Sequence, residues 1–247
     1  MRPLGGRLTN NGATIFMEFY FRSSDVPILS EGPFGGESYK FAFMYFHWLA
    51  EEDTAKTNIF MELHMVFTNT RYANYEEASG KILGLVIIAF RHVNNGEKYS
   101  NDYYEYLKEV KNPKDVLELD AADTPAIFEV ALLVDSYNFY IGKSTYPNAR
   151  TQCSGDIIWI ECDYIFSIMS EEMEIFHSLM SVDGIPLMNR TIATTPPKSA
   201  IYKAVDLFTY EQKGVYVAPF EGLGIDVTSS AVGSFNENVA SISILFL

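Results

Sequence analysis

The amino-acid sequence predicts a mainly β (α+β) domain with a few short helices. Two observations carry that expectation. Aromatic residues make up 15% of the chain, with 18 Phe and 16 Tyr, and such side chains are enriched on the pleated, half-buried surface of strands. The first two thirds of the chain also break into short apolar runs, divided by Gly, Asn, Asp and Pro as in LSEGPFGGES and VNNGEK, which is the punctuation of strands and turns.

Taken in order, the strand-like runs fall at residues 13–21, 39–49, 59–68, 83–93, 127–134 and 157–161. Two segments read as helices. Residues 101–111 begin with Asn-Asp, a suitable N-cap, and stop near Asn112-Pro113. Residues 170–180 begin Ser-Glu-Glu, and acids in a first turn suit the helix dipole. Met173, Phe176 and Met180 recur there at helical spacing, a stripe best read as core. After about Tyr210 the composition shifts to small residues. One domain is therefore expected over residues 1–210, followed by a tail over 211–247.

With 247 residues the chain is long enough for a substantial core. Its 48% hydrophobic and 20% charged content is that of a folded protein. A formal net charge of −14 repels nucleic acid and anionic lipid, so neither is an expected partner. No run of 18 apolar residues suggests a transmembrane helix, and MRPLGGRLTNNGATIF lacks the apolar core of a signal peptide. Cys153 and Cys162 are too few for a disulfide scaffold; they could pair, stay free or bond elsewhere.

The residues that suggest chemistry lie in two runs. In FAFMYFHWL, alternation turns Phe43, Tyr45 and His47 one way and Met44, Phe46 and Trp48 the other. In FMELHMVF, Glu62 and His64 share a face by the same rule. If the two strands are antiparallel neighbours, His47 and His64 can meet across the ladder, and the Glu62 carboxylate can orient an imidazole. Spacing alone also fits two unrelated, hydrogen-bonded histidines.

The ordered set NNGATIFMEF, GPFGGESYKFAFMYFHW, MELHMVFTNTRYANYEEA, GLVIIAF, LLVDSYNFYIGKSTYP, DIIWIECDYIFSIMSEEMEIFHSL and MNR resembles the α-carbonic anhydrase family over roughly residues 4–205. The resemblance implies a large, twisted, mostly antiparallel sheet with peripheral short helices. It also implies reversible carbon dioxide hydration by zinc held on three histidines, the ion lowering the pKa of its bound water to near 7. On that pattern His47 and His64 fall on two metal ligands and Glu62 on the glutamate that orients a ligand, while Tyr45 occupies the third ligand position. A phenol with a pKa near 10 is a poor replacement. Phe43 stands where the family has a glutamine supporting the first ligand, and Ala13 where efficient members have a proton-shuttling histidine.

Thr145 keeps the position of the threonine that bonds zinc hydroxide, but Tyr146 replaces the next threonine and would crowd the pocket. Glu51 and Glu52 do not align cleanly with that threonine's glutamate partner. Val66, Ile87, Ile157 and Trp159 fall on or near the family's apolar pocket wall, positions that equally suit plain strand core. The implied reading is a zinc site that binds its ion weakly or not at all, in a non-catalytic binding or structural module with an unidentified protein or glycan partner. The alternative is a zinc-dependent dehydratase of reduced activity, for which carbon dioxide and bicarbonate would be the ligands.

Family features further suggest an extracellular or GPI-anchored protein: Cys153 lies near a cysteine of secreted members, Asn189-Arg190-Thr191 is a glycosylation sequon, and Ser229-Ser230-Ala231 precede a polar spacer and the apolar VASISILFL. The absent signal peptide and missing opening segment suggest a truncated start.

Overall fold

The computed structural model describes residues 3–30, 34, 36–48, 59–94, 102–124, 136–143, 156–187, 202–205 and 243–245. Among the described residues eleven strands form one sheet: β1 (Gly5–Asn10), β2 (Ile15–Tyr20), β3 (Ile28–Ser30), β4 (Tyr39–Trp48), β5 (Met61–Asn69), β6 (Leu85–Val93), β7 (Val116–Asp120), β8 (Ser136–Lys143), β9 (Asp156–Ser167), β10 (Tyr202–Val205) and β11 (Ser243–Leu245). Their order is β10-β8-β9-β6-β5-β4-β2-β1-β7, with β3 pairing β4 and β11 off that path. The β6/β9 pair is parallel and the other pairs are antiparallel. The sheet is the mostly antiparallel one that the sequence resemblance implies.

The two faces carry separate cores. On the first face Leu8, Met17, Met44, Phe46, Trp48, Leu63, Met65 and Phe90 pack with Tyr104, Leu107 and Phe176. These last three come from a 3-10 helix, Asp102–Val110, and from the α-helix Ser170–His177. On the second face Phe43, Tyr45, Val66, Leu85, Ile87, Ala89, Tyr140, Ile157 and Trp159 are buried around Ala78. Every residue of β5 is buried, as expected of a central strand covered on both sides.

A bulge between Phe41 and Phe43 in β4 decides which residues see which face. Phe41 packs in the first core and Phe43 in the second; strict alternation would put both on one side. Beyond the bulge the expected alternation holds.

Several expectations need correction. The helix expected at 101–111 is found over Asp102–Val110 in 3-10 form; its buried side chains Tyr104, Leu107 and Val110 are spaced by three, a spacing that a threefold turn stacks on one side. The second helix ends at His177 with Met169 as its N-cap, where the Met169 N–H donates to Glu172 Oε2 at 2.7 Å. Its buried apolar residues are Ile175 and Phe176, and Met173 packs partly buried against the same core; Leu179, just past the helix, is buried and Met180 is half-buried. The strand at 157–161 extends to Ser167. The short helix Tyr75–Ser79 was not expected, although Asn74 and Glu77 mark its start: the Asn74 side chain accepts from Glu77 N at 2.9 Å. Gly84 follows this helix where a Cβ would lie 2.1 Å from the Ala78 carbonyl oxygen, so only glycine fits. The strand expected at 127–134 and most of the tail lie outside the described residues.

Candidate functional site

Register brings a row of polar side chains together across five strands of the second face. His47 of β4 stands opposite Glu62 of β5, and Glu62 stands opposite Arg91 of β6. Glu161 of β9 pairs with Ala89, two residues from Arg91, beside an irregularity in the β6/β9 register. Tyr140 of β8 lies opposite Trp159, two residues from Glu161.

Hydrogen bonds join the part of this row that runs from Glu62 of β5 to Tyr140 of β8, together with His64. Glu62 Oε2 lies 3.0 Å from His64 Nε2. Glu62 Oε1 accepts from Arg91 Nε at 3.3 Å, and Arg91 Nη2 donates to Glu161 Oε2 at 2.8 Å. The Tyr140 hydroxyl donates to Glu161 Oε1 at 3.1 Å. Burial pushes the Glu62 carboxyl up, but the hydrogen bond from His64 and the Arg91 guanidinium outweigh it and hold the group below its ordinary value. Burial likewise opposes the Arg91 charge, and Glu161 and Glu62 overcome it, raising the guanidinium pKa. The Tyr140 phenol is pushed up by burial and by the adjacent Glu161 charge. An ionised Glu62 only accepts hydrogen bonds, so His64 presents its Nε2–H to it.

His47 and His64 meet diagonally rather than directly: His64 stands opposite Tyr45, and the two imidazole centroids lie 4.8 Å apart. Tyr45, fully buried, packs edge-on against both, 5.1 Å from His47 and 5.0 Å from His64. Both ring nitrogens of His47 and Nδ1 of His64 are buried without a hydrogen-bond partner among the described residues. Burial, reinforced by His64 and opposed by Glu62, lowers the His47 pKa to about 3, so its imidazole is neutral at physiological pH.

The surroundings are apolar. Phe43 packs on Phe16 at 4.6 Å and Tyr75 at 5.0 Å, giving no polar support to Tyr45. Val66, Ile87, Ile157 and Trp159 are buried on the same face, and the Trp159 ring lies 5.2 Å from His64. Ala13 sits in the β1–β2 turn, where Ala13 N and Thr14 N both donate to Asn11 Oδ1. Among the described residues Cys162 is a buried free thiol, held protonated chiefly by burial. Glu51, Glu52, Thr145, Tyr146, Cys153 and the 189–191 sequon lie outside the described residues.

Arg91, Glu161 and Tyr140 were not singled out from sequence. The available signal was a charge inside each of two apolar runs, LVIIAFRHV and DIIWIEC: opposite charges in strands that read as buried have to find each other.

The comparisons agree with this architecture. Rabbit (Oryctolagus cuniculus) "Carbonic anhydrase 1" is 25% identical over 196 residues, covering 74% of this chain and 80% of that protein. The profile of the eukaryotic-type carbonic anhydrases matches residues 2–196, a span that contains the sheet from β1 to β9, both imidazoles and the whole Glu62–Arg91–Glu161–Tyr140 row, and by this match the chain belongs to the eukaryotic-type carbonic anhydrase family.

Proposed function

We propose that this chain is a carbonic anhydrase-related domain that does not hydrate carbon dioxide and serves as a binding or structural module. The observation that carries the reading is Tyr45. At the corner where the family pattern calls for a third imidazole stands a buried phenol, packed against both remaining histidines. Zinc in a catalytic site takes three protein donors and keeps a fourth position for water. Here the described donors are the imidazoles of His47 and His64 and a phenol that has to lose its proton to bind well. The residues present do not fit the three-histidine zinc centre. The apolar packing of Phe43 supports the same reading, because an orienting partner for the third ligand is missing with the ligand itself.

A second reading, a zinc-dependent dehydratase of reduced activity, draws on the unpartnered nitrogens of His47 and His64 and on the Glu62 hydrogen bond that orients His64. One purified sample separates the two. Zinc by atomic absorption after dialysis should be well below one ion per chain, and a hydration assay should give the uncatalysed rate. Stoichiometric zinc surviving dialysis, or hydration above background, overturns the non-catalytic reading.

A further inference from the structure

We propose that Arg91 is the positioning residue of this site: its guanidinium bridges the buried Glu62 and Glu161 carboxylates and, through Glu62, holds the His64 ring in one orientation and one tautomer. The inference concerns the chain's own residues and stands under either reading of the metal.

Three observations carry it. First, both Glu62 oxygens are engaged, Oε1 by Arg91 and Oε2 by His64, and the Glu62 side chain is fully buried. A buried carboxylate needs a counter-charge as well as hydrogen bonds, and Arg91 is the side chain of fixed positive charge that contacts it among the described residues. Second, Arg91 uses two edges of its planar fork, Nε for Glu62 and Nη2 for Glu161. A rigid fork spans two acceptors at once; the point charge of a lysine does not reproduce that geometry. Third, Arg91 is itself anchored. Glu161 takes a second bond from the Tyr140 hydroxyl, and the Tyr140 ring lies nearly parallel to Trp159, 8° apart. The chain of contacts thus runs from a stacked aromatic pair, through two carboxylates and one guanidinium, to an imidazole whose Nε2 is committed to Glu62 and whose Nδ1 is left unpartnered. A cation built into the sheet gives the carboxylates a counter-charge that does not depend on a bound ion.

The test reads the His64 ring directly. The chain has four histidines, so ring-nitrogen NMR of the full-length protein labelled with 15N-histidine gives few signals, and the His64→Gln spectrum assigns His64. The wild type should show a single His64 tautomer with the proton on Nε2. Arg91→Met should move the His64 nitrogen resonances toward the average of two tautomers while those of His92 stay in place. Arg91→Lys should fail to restore them. Glu161→Gln keeps the guanidinium and the shape but loosens its anchor, and should shift His64 in the same direction by less. Unchanged His64 resonances in Arg91→Met overturn the proposal. If that variant does not melt cooperatively, Glu161→Gln decides alone: unchanged His64 resonances there overturn it too. Zinc content does not enter this outcome, so its failure is distinct from failure of the non-catalytic reading.

Discussion

Tyr45 has a different effect on each of its neighbours. Its ring fills space beside His47 and His64, and its phenol brings a donor that neutral pH leaves protonated. Replacing it with histidine restores the third imidazole of the family pattern at a position opposite His64. Tyr45→His should therefore raise zinc affinity by at least tenfold, measured by competition with a chromophoric chelator. Turnover should recover little, because Phe43 gives the new imidazole no orienting hydrogen bond and Ala13 offers no proton route. Brisk hydration by the single variant would show that neither neighbour matters. His47, His64 and Glu62 were legible as a group from the period-two alternation of their strands. Their diagonal rather than direct meeting was not, because register is a property of the pair of strands and not of either sequence.

At the scale of elements, the helix Ser170–His177 shows how a covering layer is attached to the sheet. Phe176 is fully buried, with ring contacts to Phe46 and Trp48 at 5.3 Å, Tyr104 at 5.5 Å and Phe60 at 5.9 Å. It joins the helix, the 3-10 segment and β4 in one aromatic cluster. Phe176→Ala leaves a cavity at that junction and should cost about 3–5 kcal/mol, read from the denaturant midpoint of unfolding. A loss below about 1 kcal/mol would mean that the helix is held by something other than this ring. The helix itself was readable from its acidic start and apolar spacing, and of its expected stripe Phe176 and Met173 meet the core while Met180 lies beyond its end. Met173 packs partly buried against the core beside Phe176, and Ile175 is buried with them.

For the molecule as a whole, acid sensitivity follows from its buried imidazoles. His92 is buried on the first face, stacked on Phe166 at 5.1 Å, with Nδ1 3.2 Å from the Phe90 carbonyl oxygen. Burial lowers its pKa from 6.5 to about 4, against the opposing effects of that carbonyl and of Glu62. Between those two values the unfolded chain binds the proton and the folded chain does not. Stability should thus fall as pH drops from about 6.5 toward 4, by about 3 kcal/mol from this residue, and His92 contributes no further slope below that window. His47, lowered to about 3, acts in the same direction. Denaturant unfolding across pH 4–7 measures the slope, and His92→Phe should flatten it. An unchanged slope in that variant would assign the acid sensitivity to other groups.

The sequence by itself determined the mainly β class, the central strands 39–49, 59–68 and 83–93 to within two residues, and the shared face of Tyr45 and His47 and of Glu62 and His64. These follow from local rules: strand propensity, turn punctuation and alternation act over a few residues. Only the tertiary structure decided the bulge at Phe41/Phe43, which hands the aromatic run of β4 from one core to the other, and the β6/β9 irregularity beside which Arg91 reaches Glu161. Neither charge in Arg91 or Glu161 identifies its partner along the chain, which lies 70 residues away. The pairing exists because two strands distant in sequence lie side by side, and the low dielectric of the core then makes each charge hold the other in place.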